Sequence, residues 1–225
     1  MQLLEALDGP AFAFSRYCDG EFAILTGSPV RTADKWVVPE LDSKFTNDLH
    51  ASLAYGDGDY HIGISPPCCL PDEHRRYLNA VQVPHNRLTF ANIFVDANHN
   101  HVVNWVKGHG TLDKCAIVAS SDRGTYVIPA NAVNTEWDID QLINKLLLET
   151  RPILVAAGPA AGIIIHKYWE AQEPSKRVVI LDIGSAFDVW LHGRPTRGYH
   201  MGDSPNRKKV CSWTNLEQHS TRSVS

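Results

Sequence analysis

The chain has 225 residues, 44% of them hydrophobic and 20% charged, with a formal net charge of −4 when histidine is neutral. That is long and apolar enough for one globular domain with a sizeable core, with or without a tail, and it lacks the basic footprint of a nucleic-acid binder. No apolar run approaches the length of a membrane span, residues 1–8 are too short and too acidic for a secretory signal, and five cysteines, with Cys68 and Cys69 adjacent and no C-x-x-C, do not form a disulfide framework, so a reduced, cytoplasmic protein is expected.

In chain order, residues 1–8 read as a short helix with Leu3, Leu4 and Leu7 on one side. Residues 11–15 read as a strand, 19–26 as a helix closed by Gly27, and 41–55 as an amphipathic helix ended by Gly56-Asp57-Gly58-Asp59. Tyr60 to Ile64 is a predicted strand. Pro66, Pro67 and Pro71 then break the chain before a predicted helix over 72–81, a short strand over 88–90 and a helix through Val102 to Val106. The second half is clearer. A strand over 114–119 precedes a helix over 138–148, where Ile139, Leu142, Ile143, Leu146 and Leu147 recur at helical spacing. An apolar strand over 153–157, a helix over 159–169 and a second apolar strand over 178–183 follow. Short apolar strands alternating with helices predict an α/β fold whose mostly parallel sheet is covered on both faces. From about residue 201 the periodicity stops, so the domain is drawn over 1–200, with 201–225 a tail and a candidate for disorder.

The most informative segment is Ser15-Arg16-Tyr17-Cys18-Asp19-Gly20-Glu21, between the first strand and its helix. Asp19 and Glu21 form an Asp-x-Glu pair at a strand end. A hard divalent cation takes oxygen ligands, and two carboxylates can hold it while leaving positions for diphosphate oxygens. Gly20 lets the backbone turn or approach a ligand, and Arg16 offers a planar fork of donors to a phosphate. The competing reading is an Asp-Gly turn with Glu21 in the first turn of a helix and Arg16 as a structural partner.

Three later segments could share that site. Ala157-Gly158-Pro159-Ala160-Ala161-Gly162 joins an apolar strand to a helix, and its exposed N–H groups would suit a phosphate, although a tight packing turn explains it equally. Asp182 falls at the end of the next strand, where a charge is costly unless used or paired, and Gly184-Ser185 reads as another strand-to-helix turn. Asp188 lies just beyond, and it or Asp182 is a candidate base for a sugar hydroxyl, with a helix cap or an Asp-Arg pair as the rival role for Asp188. Ser120-Ser121-Asp122 follows the 114–119 strand and points to the same rim. Asp57-Gly58-Asp59 is a second carboxylate pair but precedes its strand, so a solvated turn is the better reading. Asn98-His99-Asn100-His101 lacks a third ligand at zinc-site spacing and reads as a surface helix start.

The run Phe12-Ala13-Phe14-Ser15-Arg16-Tyr17-Cys18-Asp19-Gly20-Glu21 resembles the Arg-aromatic-Gly-Asp-Gly-Glu signature of the GT-D-type glycosyltransferases, and the Ala156 to Ala160 and Leu181 to Ser185 segments look like that family's later strand-turn-helix units. The resemblance runs from about residue 9 to 200. It implies a Rossmann-like three-layer sandwich and a divalent metal, Mn²⁺ or Mg²⁺, held with a nucleotide-sugar diphosphate. It implies metal and catalytic roles for Asp19 and Glu21, while Asp182 and Asp188 remain catalytic candidates from their own positions after the later strand. Arg16, Gly20, Gly158, Pro159, Ala160, Gly184 and Ser185 would bind the nucleotide sugar. The chain departs from the signature at Cys18, where the family has Gly, and the turn survives there only if the position does not need a positive φ. The expected activity is hexose transfer from a nucleotide sugar, a UDP-sugar first, to a glycan acceptor in polysaccharide biosynthesis. The alternatives are another Rossmann-like nucleotide-dependent enzyme, such as a methyltransferase or sugar-nucleotide modifier, and a non-catalytic nucleotide-sugar-binding module.

Overall fold

β-Branched and leucine-rich runs, apolar at every position, are stable as strands only when both faces are covered. The computed structural model of this chain shows that arrangement; it describes residues 9–29, 36–66, 70–95, 98–109 and 111–201, with backbone only for 105–109, 111 and 112. The predicted helix over 1–8, the adjacent Cys68 and Cys69, and the tail beyond Met201 lie outside the described residues. Among the described residues seven parallel strands form one sheet in the order β3-β2-β1-β7-β6-β4-β5. They are β1 (Ala13–Arg16), β2 (Tyr60–Ile64), β3 (Leu88–Phe90), β4 (Ala116–Ala119), β5 (Tyr126–Val127), β6 (Ile153–Ala156) and β7 (Ile180–Asp182). The expectation of a mostly parallel sheet is met by one that is parallel throughout.

Side chains alternate across the sheet and so divide the core in two. Ala13, Ile62, Val118, Ile153, Val155 and Ile180 face one apolar layer; Phe14, Ile117, Leu154 and Leu181 face the other. The first layer is covered by α1 (Asp19–Thr26), α2 (Lys44–Ala54), α3 (Asp72–Val81), α5 (Ile139–Leu146) and α6 (Ala160–Ala171). The second is covered by the 3-10 turn Ala91–Phe94, by α4 (His99–His109) and by α7 (Asp188–His192). This is a three-layer α/β sandwich. Among the described residues no helix is long and apolar enough to cross a membrane.

Chain direction sets where a ligand can enter. β1 leads outward to β2 and β3, β4 leads outward to β5, while β6 leads inward to β7 beside β1. Connections therefore diverge above the middle of the sheet, and a crevice opens at the carboxyl ends of β1, β7, β6 and β4. The amino edge is closed differently. The Arg177 guanidinium meets Asp57 at 2.8 Å, donates to the Trp169 carbonyl at 2.9 Å and lies 4.4 Å from the Trp169 ring centroid. Asp57 thus takes a structural role at the far edge of the sheet, in place of the solvated turn that its sequence suggested.

Candidate nucleotide-sugar site

A cavity of about 450 Å³ sits in that crevice. Its walls include Arg16, Asp19, Gly20 and Glu21 from the β1–α1 turn and Gly158 and Pro159 from the β6–α6 turn. Asp182, Gly184, Ser185 and Asp188 follow β7 and line the same space, with Ser120 after β4. Three turns, the first more than a hundred residues of sequence from the other two, therefore converge on one site. Ala160 does not join them. It is fully buried at the first position of α6 and belongs to the main core, so the lining contributed by this turn, Ala156 to Pro159, stops one residue short of it.

Local geometry explains how α1 starts. Cys18 precedes it with φ −118° and ψ −159°, an extended conformation open to any residue. The departure from glycine at this position therefore carries no backbone strain. The Cys18 N–H donates to Glu21 Oε2 at 2.8 Å, the return arm of a capping box. Burial pushes the Cys18 thiol up to about 11, against the pull of Arg16. Asp19, the first helical residue, is exposed, while Glu21 is half-buried.

Glu21 and Asp182 set the electrostatics. Burial, and then Asp182, push the Glu21 carboxyl up to about 7 despite N–H groups and Arg16 acting the other way. Asp182 is 4% exposed, and burial raises its carboxyl above the ordinary range against Arg16 and two backbone donors. Those donors are the Arg16 N–H, 3.2 Å from Oδ2, and the Gly184 N–H, 2.9 Å from Oδ1. Asp182 thereby ties the turn after β1 to the turn after β7.

Arg16 is the unusual group. Its Nε and Nη1 are buried and have no hydrogen-bond partner, a costly state for a charged donor unless a ligand supplies the acceptor. Burial works against its charge, but Asp182, Cys18, Tyr199 and Glu21 together hold the guanidinium above its ordinary value. The guanidinium lies over Gly184, where a Cβ would come 2.5 Å from Nη1 and where φ is +50°. Glycine is required there by both the close approach and the backbone.

The Gly158 turn differs. Its φ is +54°, yet a Cβ would meet nothing within 4 Å. The turn is open to the cavity. Gly158→Val would place a branched side chain in that space and strain a left-handed backbone. The expected outcome is a UDP affinity lowered by tenfold or more in a variant that still folds, with Gly158→Ala milder. Titration calorimetry beside a melting curve checks this, and unchanged affinity in folded Gly158→Val would leave the turn a packing role only.

The return segment after α7 supplies residues that sequence reading did not rank. His200 Nδ1 accepts from the N–H groups of Thr196 and Arg197, each at 3.1 Å, so Nε2 carries the proton and donates to the Ser185 carbonyl at 2.9 Å. Ser185 Oγ meets the Tyr199 hydroxyl at 2.5 Å. This folds 196–200 back beside Ser185 and brings Arg197 to the cavity, which His192 also lines. Thr196 donates to Asp188 Oδ2, and burial raises the Asp188 carboxyl. Trp36 and the loop 128–133 complete the lining.

The other sequence candidates fall away from the cavity. Ser121 Oγ donates to the Leu191 carbonyl at 2.5 Å and is structural. Asn98 and His99 are buried, not surface residues, and the His99 ring packs 5.1 Å from those of Tyr199 and His200. Among the described residues no group of three or more His, Cys, Asp or Glu side chains is arranged to hold a metal ion.

No protein-family model and no curated protein matches this chain. Solved structures do. A structure described as a new glycosyltransferase (DUF1792) from Streptococcus sanguinis is 15% identical, covers 88% of this chain and 84% of its own, and superposes with a TM-score of 0.53. A second, described as a domain of unknown function 1792 with a distinct glycosyltransferase fold, is 13% identical over 84% of this chain and 79% of its own, with a TM-score of 0.47. The three-layer parallel architecture is thus a fold shared with the S. sanguinis DUF1792 glycosyltransferase.

Proposed function

We propose that this protein is a glycosyltransferase that moves a hexose from a nucleoside diphosphate sugar, a UDP-sugar first, to a hydroxyl of a glycan or glycoconjugate acceptor. The observation that carries the reading is Arg16. Its partnerless, buried Nε and Nη1 need an anion, and they belong to a cavity lined by the Asp19 and Glu21 carboxylates and the open Gly158 turn. A diphosphate satisfies the guanidinium fork and the turn together. The fold shared with a glycosyltransferase supports the same class by analogy.

Asp19 and Glu21 suit a hard divalent cation such as Mn²⁺ or Mg²⁺. They line one cavity, where burial and Asp182 raise the Glu21 carboxyl and a cation at the pair would favour its charged form. Both residues would hold the ion, with diphosphate and water completing its shell. When bound, such an ion offsets charge on a departing diphosphate. Arg16 and the Gly158 turn bind and orient that group. For the acceptor proton, Asp188 is the better of the two candidate bases. Asp182 spends one oxygen on each of two backbone N–H groups, whereas Asp188 takes a hydrogen bond from Thr196 on Oδ2 alone.

The deciding experiment is release of UDP from a panel of UDP-sugars across a Mn²⁺ titration. Wild type is expected to turn over one donor in a metal-dependent way. Asp19→Asn keeps the shape and removes the charge of an exposed side chain, so turnover should fall roughly a hundredfold or more, several kcal/mol of barrier, with the melting temperature nearly unchanged. Near-normal turnover in the variant would remove Asp19 from the metal. Absence of transfer or hydrolysis with every sugar, together with UDP binding, would point to a non-catalytic sensor.

A further inference from the structure

The lining of the cavity divides by chemistry. Asp188, His192 and Arg197 bring charged or titratable groups suited to hydroxyl-rich ligands. The loop from Ile128 to Val133 reads Ile-Pro-Ala-Asn-Ala-Val and brings none; its sole polar side chain is Asn131. Trp36 stands with that loop. Its half-buried indole backs onto the main apolar core. The benzene edge of the ring lies 3.2 and 3.7 Å from where a Cβ on Gly20 would sit, and the Pro159 ring lies 3.8 Å from the same point. The indole is therefore beside both the Asp-x-Glu pair and the Gly158 turn. It is fixed from behind as well. The Val37 N–H donates to Asn134 Oδ1 at 2.7 Å, and Asn134 Nδ2 donates to the Val37 carbonyl at 2.8 Å. The Asn134 amide thus pairs with Val37 as a neighbouring strand would. Val37 points outward, 71% exposed, while Trp36 lines the cavity.

We propose that Trp36, with the loop 128–133, is the nucleobase platform of this cleft. The indole stacks on the base of a nucleoside diphosphate whose phosphates lie at Arg16 and the Gly158 turn, and Asn131 reads the base edge. This assignment rests on the nucleotide-sugar reading above. It follows from the division of the lining: a neutral planar base matches an uncharged wall with one amide and a rigid aromatic face. Gly20 then has a second purpose. A side chain there would push into the indole, so glycine keeps the platform seated next to the carboxylates.

The test titrates UDP, GDP and inorganic pyrophosphate, each with Mn²⁺, into wild type, Trp36→Ala, Trp36→Phe and Asn134→Ala. Wild type should bind one of the nucleotides more tightly than pyrophosphate. Trp36→Ala should weaken that nucleotide about tenfold to a hundredfold, the range for losing one base-aromatic stack, and leave pyrophosphate within about twofold. Trp36→Phe should recover most of the loss, and Asn134→Ala, a positioning change outside the cavity, should fall between. Melting curves confirm that each variant is folded. Nucleotide affinity unchanged in Trp36→Ala, or nucleotide and pyrophosphate weakened together, overturns the platform and leaves the phosphate site standing. Wild type that binds pyrophosphate as tightly as either nucleotide overturns it too. Wild type that binds none of the three overturns the glycosyltransferase reading and the platform with it.

Discussion

Arg16→Lys is expected to fold normally and to lose most of its activity, whereas Arg16→Met is expected to lose stability as well. The contrast follows from two tasks held by one side chain. As a charge, Arg16 neutralises Asp182 and Glu21, both of which lower their ionisation penalty beside it. As a planar fork, it holds buried Nε and Nη1 donors ready for an anion. Lysine keeps the charge but not the fork, so donor affinity or turnover should fall about tenfold to a hundredfold, the worth of one or two charge-assisted hydrogen bonds. Methionine leaves the buried Asp182 and the half-buried Glu21 without a counter-charge, and breaking such a cluster costs roughly 3–5 kcal/mol. That cost has a predictable sign with pH. Both carboxyls already sit above their ordinary ranges, so protonation relieves the penalty as pH falls, and Arg16→Met should approach wild-type stability in acid. Melting temperatures of both variants from pH 5 to pH 8, beside UDP titrations, check this. A Met variant with wild-type stability at pH 8, or a Lys variant with wild-type turnover, would reduce Arg16 to an incidental contact.

Much of this arrangement was legible in the chain because the signals are local. The helix over 19–26 and the strand over 60–64 were read with the bounds that the structure gives, as was the helix over 72–81. Edges blurred where tertiary bonds decide them. The strand expected over 114–119 begins at Ala116, because Thr111 to Lys114 form a 3-10 turn. The helix expected to 148 ends at Leu146, with Leu148 83% exposed. β5 is two residues long, too short for any periodic pattern, and exists by pairing with Val118 and Ala119. The site divides the same way. Asp19, Gly20 and Glu21 are neighbours in sequence, so their meeting is written locally. Trp36 reaches the cavity through the bond pair between its neighbour Val37 and Asn134, 97 residues apart, and Arg197 through the bonds that fold 196–200 over Ser185. No local pattern encodes either return. Ala160 failed in the opposite direction: its sequence neighbourhood is right, but one step into the helix turns it to the core.

Glu21→Gln is expected to make the protein more stable at neutral pH while removing most of its activity. The Glu21 carboxyl, ordinarily near 4.5, is pushed up to about 7, first by burial and then by Asp182. A group whose folded value lies above its unfolded one destabilises the folded state when it ionises. The cost is absent below about pH 4.5, grows between 4.5 and 7, and is complete above that. Glutamine cannot ionise, yet its amide oxygen can still accept the Cys18 N–H now received by Oε2. The capping box survives and the charge penalty goes. The gain at pH 7.5 should be on the order of 2 kcal/mol, or roughly 4–8 °C in melting temperature for a chain of this size, and it should vanish near pH 4.5. Activity should move the other way, down roughly a hundredfold, because the carboxylate that would draw a divalent cation has gone. Mn²⁺ gives an independent reading. It should raise the melting temperature of wild type at pH 7.5 and leave Glu21→Gln nearly unmoved, since the proposed ion site needs both carboxylates of the folded state. A variant less stable than wild type by the same amount at pH 4.5 and pH 7.5, and unchanged in its Mn²⁺ response, would make Glu21 a helix cap and nothing more. Stability gained at the same position where activity is lost is the signature of a charge kept in an unfavourable place for its function.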